Sequence, residues 1–178
     1  EKLVKITPGS FKKKVFYTVT GSDANEVAIK LSRYYTGRTI IMTQWGDYHG
    51  RTLGTAPFTH SFSTWAQIYP VPPADHAVVR FPFPYCYRCP FGLEYPDCGD
   101  RCLYHVDYML SADYYGLYDS SRGICNVAAM LIEPYQSAAG YIIPPDNYLP
   151  ELYKIAREHD ILFVVDELQT GWARTGRM

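Results

Sequence analysis

The chain is short of the features that mark membrane, nucleic-acid-binding or secreted proteins. Its 178 residues carry a formal net charge of -1, so there is no basic field to draw a polyanion or an anionic bilayer. We therefore expect no nucleic-acid partner and no membrane partner. No apolar run approaches the roughly 20 residues needed to span a bilayer. The opening Glu1-Lys-Leu-Val-Lys-Ile6 lacks the long apolar core of a secretory leader. Cysteine is odd in number, at five, which does not suit a simple secreted disulfide framework. Internal repeats and low-complexity segments are also missing. Together these absences point to a cytoplasmic globular protein of one large domain, or one and a fraction. What is abundant is tyrosine, with seventeen residues, many of them in the middle of the chain.

The most informative stretch is Ile161-Leu-Phe-Val-Val-Asp166-Glu-Leu-Gln169. An unbroken apolar run rich in β-branched and aromatic residues reads as a strand buried on both faces. A helical stretch, Leu149 to His159, precedes it, and the Thr170-Gly171 turn follows. Leu149, Leu152, Tyr153 and Ala156 form the apolar stripe of that helix, and Pro150 suits its first turn. Helix into buried strand is half of a βαβ unit. In open α/β sheets the ligand lies beyond the carboxyl ends of the strands, which places a ligand at Asp166. A buried carboxylate is costly without a partner, so a cation is expected there. The plainer alternative is an Asp that caps the next turn.

Three further segments have the same form. Val15 to Val19 reads as a short strand running into Thr20-Gly-Ser-Asp-Ala-Asn-Glu26. From Ala24, apolar residues fall at Val27, Ala28, Leu31, Tyr34 and Tyr35, which is helical spacing. That helix is expected to end at Gly37 and to be capped by Ser22 or Asp23. Strand, Gly-Ser turn and helix is an arrangement that binds phosphate on the first helical N–H groups, although an ordinary capped helix fits the same residues. Thr39 to Thr43 is the next strand. It opens into a loop with aromatic faces (Trp45, Tyr48), an imidazole (His49) and a guanidinium (Arg51). Such a loop can stack on a planar ring or grip a carboxylate, or serve only as packing. Val127 to Ile132 is a further apolar strand, ending in Glu133-Pro134. The whole reads as α/β, a mostly parallel sheet with helices on both faces.

Residues 57–122 differ in character. Eight of the thirteen prolines fall between Pro57 and Pro96, which argues for an irregular insertion without helices or central strands in that part. Arg101 to Tyr115 is expected to be helical, with Leu103, Val106 and Leu110 on one side. The insertion carries Cys86, Cys89, Cys98 and Cys102. Two close cysteine pairs suit a tetrahedral zinc site, and disulfides or free packing thiols are the alternatives. The dense tyrosines nearby suit a contact surface between subunits.

Taken together, the motifs resemble those of the class III pyridoxal-phosphate-dependent aminotransferases, of fold type I. The resemblance rests on Thr20-Gly-Ser-Asp-Ala-Asn-Glu-Val-Ala-Ile-Lys30, Tyr48-His-Gly-Arg-Thr52, Glu133-Pro-Tyr-Gln136 with Ile143-Pro-Pro145, and Asp166-Glu-Leu-Gln-Thr-Gly171 with Arg174-Thr-Gly176, in family order. The cysteine-bearing insertion resembles one found in some prokaryotic 4-aminobutyrate or related aminotransferases. The resemblance implies that residues 1–178 are part of the large domain, with residues 57–122 inserted in it. It implies pyridoxal 5'-phosphate as cofactor, a small amine or amino acid and a keto acid as substrates, and a homodimer or higher homo-oligomer. By position, Gly21 and Ser22 would take the cofactor phosphate and Tyr48 would stack on its ring. Asp166 would be the catalytic partner of the ring nitrogen, and Gln169 would hydrogen-bond the ring hydroxyl. Arg51 would hold a substrate carboxylate, Glu133 would line the substrate pocket, and His49 would stand behind these groups.

Two departures bear on activity. Many members have Gln-Gly-Glu-Gly where this chain has Gln136-Ser-Ala-Ala139. The family's glutamate pairs with a distant arginine and lets one site accept both an amine and 2-oxoglutarate. Its absence leaves the amino acceptor open and keeps a lyase or racemase on the same scaffold in play. The family's reactive lysine lies downstream of the aspartate, and none of the seven lysines here occupies such a place. The sequence therefore reads as an internal piece of a longer enzyme, inert on its own. A metal-binding structural module built on the four cysteines is the remaining alternative.

Overall fold

The computed structural model describes residues 1–61 and 77–176. Helix α1 spans Lys2–Ile6 and α2 spans Gly21–Thr36. Strand β1 (Ile40–Gln44) is followed by β2 (Val78–Phe81), α3 (Arg101–Ser111), and the short pair β3 (Tyr118–Asp119) and β4 (Ile124–Cys125). Then come β5 (Val127–Ile132), α4 (Tyr148–Glu158) and β6 (Leu162–Val165). The main sheet is entirely parallel, in the order β2-β1-β5-β6. β3 and β4 form a separate antiparallel pair. Among the described residues no helix is long and apolar enough to cross a membrane.

β5 is the spine of the sheet. All six of its residues are buried, because it lies between β1 and β6 and has helices on both faces. Val127, Met130 and Ile132 join the larger core, with Leu103, Val106 and Leu110 of α3 and Tyr148, Leu152 and Ala156 of α4. Ala128, Ala129 and Leu131 belong to the other core, with Ile29 of α2 and Ile41 of β1. The two alanines let α2 lie close against the sheet. At the amino ends of the strands, Arg38 donates to the carbonyls of Val127 and Asp160 at 3.1 and 2.7 Å and to the Asp160 carboxylate at 3.3 Å.

Several elements differ from the sequence expectation. Val15 to Val19 belongs to no strand. The cap of α2 is Thr20, not Ser22 or Asp23. Asp23 N–H donates to Thr20 Oγ1 at 3.2 Å, while Thr20 N–H donates to the Asp23 carboxylate at 3.1 Å, which is a reciprocal capping box. The expected end at Gly37 is present, with φ +68°. The buried face of α2 is Asn25, Ile29 and Ser32, whereas Leu31, Tyr34 and Tyr35 are exposed. β6 is not buried on both faces, because only β5 pairs with it and Val165 is exposed.

Residues 57–122 are joined to the sheet. They supply β2, which sits at its edge where nearby proline is tolerated. They also supply α3, whose apolar side completes the larger core as expected. Pro70, Pro72 and Pro73 lie outside the described residues.

Leu152 is fully buried between α4 and the sheet. In the full-length protein, Leu152→Ala should cost roughly 2–5 kcal/mol by leaving a cavity. Glu158→Gln, exposed on the last turn of α4, should stay within about 0.5 kcal/mol. Chemical denaturation midpoints of the two variants check this.

Candidate active site

The carboxyl ends of β1, β5 and β6 and the amino end of α2 meet at one rim of the sheet. The capping box satisfies the N–H of Asp23, and the Ala24 N–H donates to the Thr20 carbonyl. The N–H groups of Gly21 and Ser22 remain to face an anion. The loop after β1 packs directly on this helix start. Gly50 has φ +122°, and a Cβ there would come within 2.2 Å of Ser22 Oγ. The Arg51 N–H donates to Ser22 Oγ at 3.4 Å. Gly21 is held as tightly from the other side, where a Cβ would lie 2.7 Å from Leu168 Cδ2.

Asp166 closes β6 and is tied to the same helix. Its Oδ2 accepts from Asn25 Nδ2 at 2.8 Å and from His49 Nδ1 at 2.9 Å, and its Oδ1 accepts from the Leu168 N–H at 3.1 Å. Asn25 Nδ2 also donates to the His49 carbonyl at 2.9 Å. One amide thus joins α2, the loop after β1 and the end of β6. Burial alone would raise the Asp166 pKa. The bond and charge of His49, then Asn25 and the Leu168 N–H, outweigh it and hold the carboxyl below its ordinary range.

His49 is buried between two carboxylates. Its Nε2 lies 3.3 Å from Asp47 Oδ2 and 3.2 Å from Thr43 Oγ1. Burial works against its charge, but the hydrogen bonds to Asp166 and Asp47, and their charges, raise its pKa to about 9. Asp47 Oδ2 also accepts from Thr43 Oγ1 at 3.2 Å and the Gln44 N–H at 3.0 Å, and its Oδ1 accepts from Gln136 Nε2 at 2.9 Å.

The loop after β5 approaches from the third side. Buried Glu133 accepts from the Tyr48 N–H at 2.7 Å, and from the Ser137 N–H and hydroxyl at 3.2 and 3.1 Å. Burial raises the Glu133 pKa more than these N–H groups lower it. Gln136 and Ile142 exchange backbone hydrogen bonds, pinching the loop shut. Arg51 Nε donates to the Tyr48 hydroxyl at 2.9 Å, and its guanidinium lies 5.9 Å from the Tyr48 ring centre. Gln169 is exposed on the turn after β6.

The structure therefore gathers Gly21, Ser22, Tyr48, His49, Arg51, Glu133 and Asp166 at one rim, with Gln169 three residues beyond Asp166. Asn25 and Asp47 were not singled out from sequence. A polar residue on a helix face against the sheet was the available signal for Asn25. Asp47 sits inside a loop where acids are ordinary. The zinc alternative gains no support. Among the described residues no group of three or more His, Cys, Asp or Glu is placed to hold an ion. Cys86, Cys89, Cys98 and Cys102 are free thiols. Burial pushes Cys102 up to about 11 and raises Cys86, and neighbouring cysteines add to both shifts.

Comparison with known proteins agrees with this geometry. The sequence profile of the family described as Aminotransferase class-III matches residues 1–178. The chain is 35% identical to the leucine/methionine racemase of Thermococcus litoralis, over 99% of this chain and 37% of that protein. It is also 35% identical to the 4-aminobutyrate aminotransferase of Mycobacterium bovis, over 100% of this chain and 38% of that protein. Among solved structures, the taurine:2-oxoglutarate aminotransferase of Bifidobacterium kashiwanohense, in complex with PLP and glutamate, superposes with a TM-score of 0.81 at 30% identity, covering 99% of this chain and 37% of that one. The chain thus spans little more than a third of the length of the relatives it matches.

The raised His49 sets a pH dependence of stability. Folded His49 binds its proton up to about pH 9, while an unfolded histidine releases it near 6.5. Its contribution is therefore complete below about pH 6.5 and is lost as pH rises through about 9. The loss amounts to on the order of 3 kcal/mol. In the full-length protein, urea midpoints from pH 6 to 10 should fall across that window in the wild type and much less in His49→Gln.

Proposed function

The chain belongs to the class III aminotransferases, and we propose that the whole protein moves an amino group from a small amine or amino acid to a keto acid with pyridoxal phosphate as cofactor. One observation carries this reading: Asn25, one turn into α2, donates to Asp166. The free N–H groups of the helix start and the charged carboxylate closing β6 therefore share one site. That pairing suits a ligand with a phosphate at one end and a protonated ring nitrogen at the other.

The residues present fit such a ligand. The N–H groups of Gly21 and Ser22, with the Ser22 hydroxyl, would bind the phosphate. Gly50, with no side chain, brings the loop after β1 onto that end. Tyr48 offers a ring face for stacking, and Gln169 would reach the ring hydroxyl. Asp166, kept ionised by His49 and Asn25, would hold the proton on the ring nitrogen. When bound, pyridoxal phosphate supplies a cationic ring that accepts the electrons released as the substrate loses its Cα proton. Arg51 would orient a substrate carboxylate, with the Tyr48 hydroxyl steering the guanidinium. Glu133, which binds the Tyr48 N–H and the Ser137 loop, would line the substrate pocket. The lysine that would hold the cofactor covalently is read as lying outside these residues. Lys30 is exposed on the far part of α2, and Lys154 pairs with Glu151 at 2.5 Å on α4. We also read the protein as a cytoplasmic homodimer or higher oligomer. The free thiols agree with that compartment, and the apolar outer side of α2 agrees with a buried contact.

A racemase is the second reading, favoured by the Gln136-Ser-Ala-Ala139 loop. Gln136 is engaged by the Trp45 carbonyl and Asp47, and Ser137 by Glu133. Ala138 and Ala139 offer no acid to pair with an arginine. A racemase needs only one amino acid and returns the proton to Cα without a keto acid.

The full-length enzyme separates the two. Amino transfer that depends on an added keto acid is expected. Racemisation of a single amino acid with no keto acid present would replace that reading with the second. Asp166→Ala should lower turnover at least roughly 100-fold, as loss of a group aimed at developing charge does. The same variant should still take up pyridoxal phosphate through the helix start, measured by absorbance after dialysis.

A further inference from the structure

We propose that Asp47 is a positioning residue for the reaction: it holds the far nitrogen of His49, so that the imidazole presents both a proton and a positive charge to Asp166. The proposal rests on the aminotransferase reading, in which Asp166 must be ionised to hold a protonated ring.

Geometry carries it. Each ring nitrogen of His49 faces a carboxylate oxygen, Asp166 at 2.9 Å and Asp47 at 3.3 Å. The side chains of His49 and Asp47 are fully buried, and that of Asp166 is 8% exposed. A neutral imidazole has one N–H and one lone pair. A lone pair aimed at a buried carboxylate would repel it, so this arrangement calls for N–H on both nitrogens. Asp47 is fixed independently of His49, by the Gln44 N–H, the Thr43 hydroxyl and Gln136 Nε2. It is therefore the anvil, and the imidazole is the part that is set. The structure also contains the alternative. Thr43 Oγ1 lies 3.2 Å from His49 Nε2, and its one proton, turned away from an uncharged residue 47, can be donated to a neutral ring instead. Whether His49 is charged thus turns on the charge of Asp47.

The charged groups facing His49 from the packed elements are Asp47 on its own loop and Asp166 after β6, with Glu133 after β5 also within its field. All three are acids, which agrees with a charged imidazole. Gln136 adds a connection, since it ties the loop bearing Ser137, Ala138 and Ala139 to Asp47. A shift of the substrate-side loop therefore reaches the carboxylate that grips the ring.

The test follows the His49 imidazole by 15N NMR in the full-length protein without cofactor, with His49→Gln identifying the signal. In the wild type both nitrogens should be protonated at pH 7.5, with a midpoint near 9. Asp47→Asn, of equal size but uncharged, should lower that midpoint by at least about one unit and weaken pyridoxal phosphate binding roughly tenfold. Thr43→Val keeps the charge of Asp47 and should leave the midpoint near 9. A neutral His49 at pH 7.5 in the wild type overturns the proposal, and this measurement stands even if Asp47→Asn does not fold. An unchanged midpoint in Asp47→Asn, or an equal fall in Thr43→Val, overturns it as well. Failure of the wild-type protein to bind pyridoxal phosphate would instead sink the aminotransferase reading, and the NMR result separates the two failures.

Discussion

The structure depends on one buried carboxylate being kept charged. Asp166 follows the last described strand, and the groups that hold it arrive from 141 and 117 residues away, from Asn25 and His49. A lone ionised carboxyl at that depth would neutralise itself or unravel the strand end. Here it accepts three hydrogen bonds, and one of its donors is itself pressed against a second acid. Removing either donor leaves a desolvated charge without its partner, which costs more than the bond itself is worth.

The rest of the fold positions these donors. β5, buried on both faces, sets the order of the sheet and brings the ends of β1 and β6 to the same rim. Ala128 and Ala129 thin the sheet surface so that α2 settles close enough for Asn25 to reach Asp166. Gly50 lets the loop after β1 press against Ser22 and turns His49 inward. At the opposite rim, Arg38 gathers the starts of β5 and β6.

Much of this was legible in the sequence. The apolar runs at 127–132 and 161–165 gave their strands, and for the first the reason is that a parallel sheet covered by helices demands unbroken apolar residues. The acid at position 166 was read as a ligand site by the rule that ligands sit at carboxyl ends of strands, whereas the strand expected before the Gly-Ser helix start is not formed. Other features were hidden. Apolar spacing in α2 pointed to Leu31 and Tyr34, yet the buried side carries Asn25 and Ser32, because close approach and a hydrogen bond outweighed apolar area there. The cap fell to Thr20 because Asp23 could return the bond. Asp47 was invisible because its role exists only once Gln136, from a distant loop, lies beside it.

The single bond from Asn25 to Asp166 makes α2 a gauge. The helix carries the N–H groups of Gly21 and Ser22 at its start and, one turn on, the amide that fixes the carboxylate, with Gly21 and Asn25 about 6 Å apart along its axis. Both are mounted on one rod, so the distance from helix start to amide is set by helical rise and not by the loops. The backbone itself thereby holds the helix start and the strand-end acid in register.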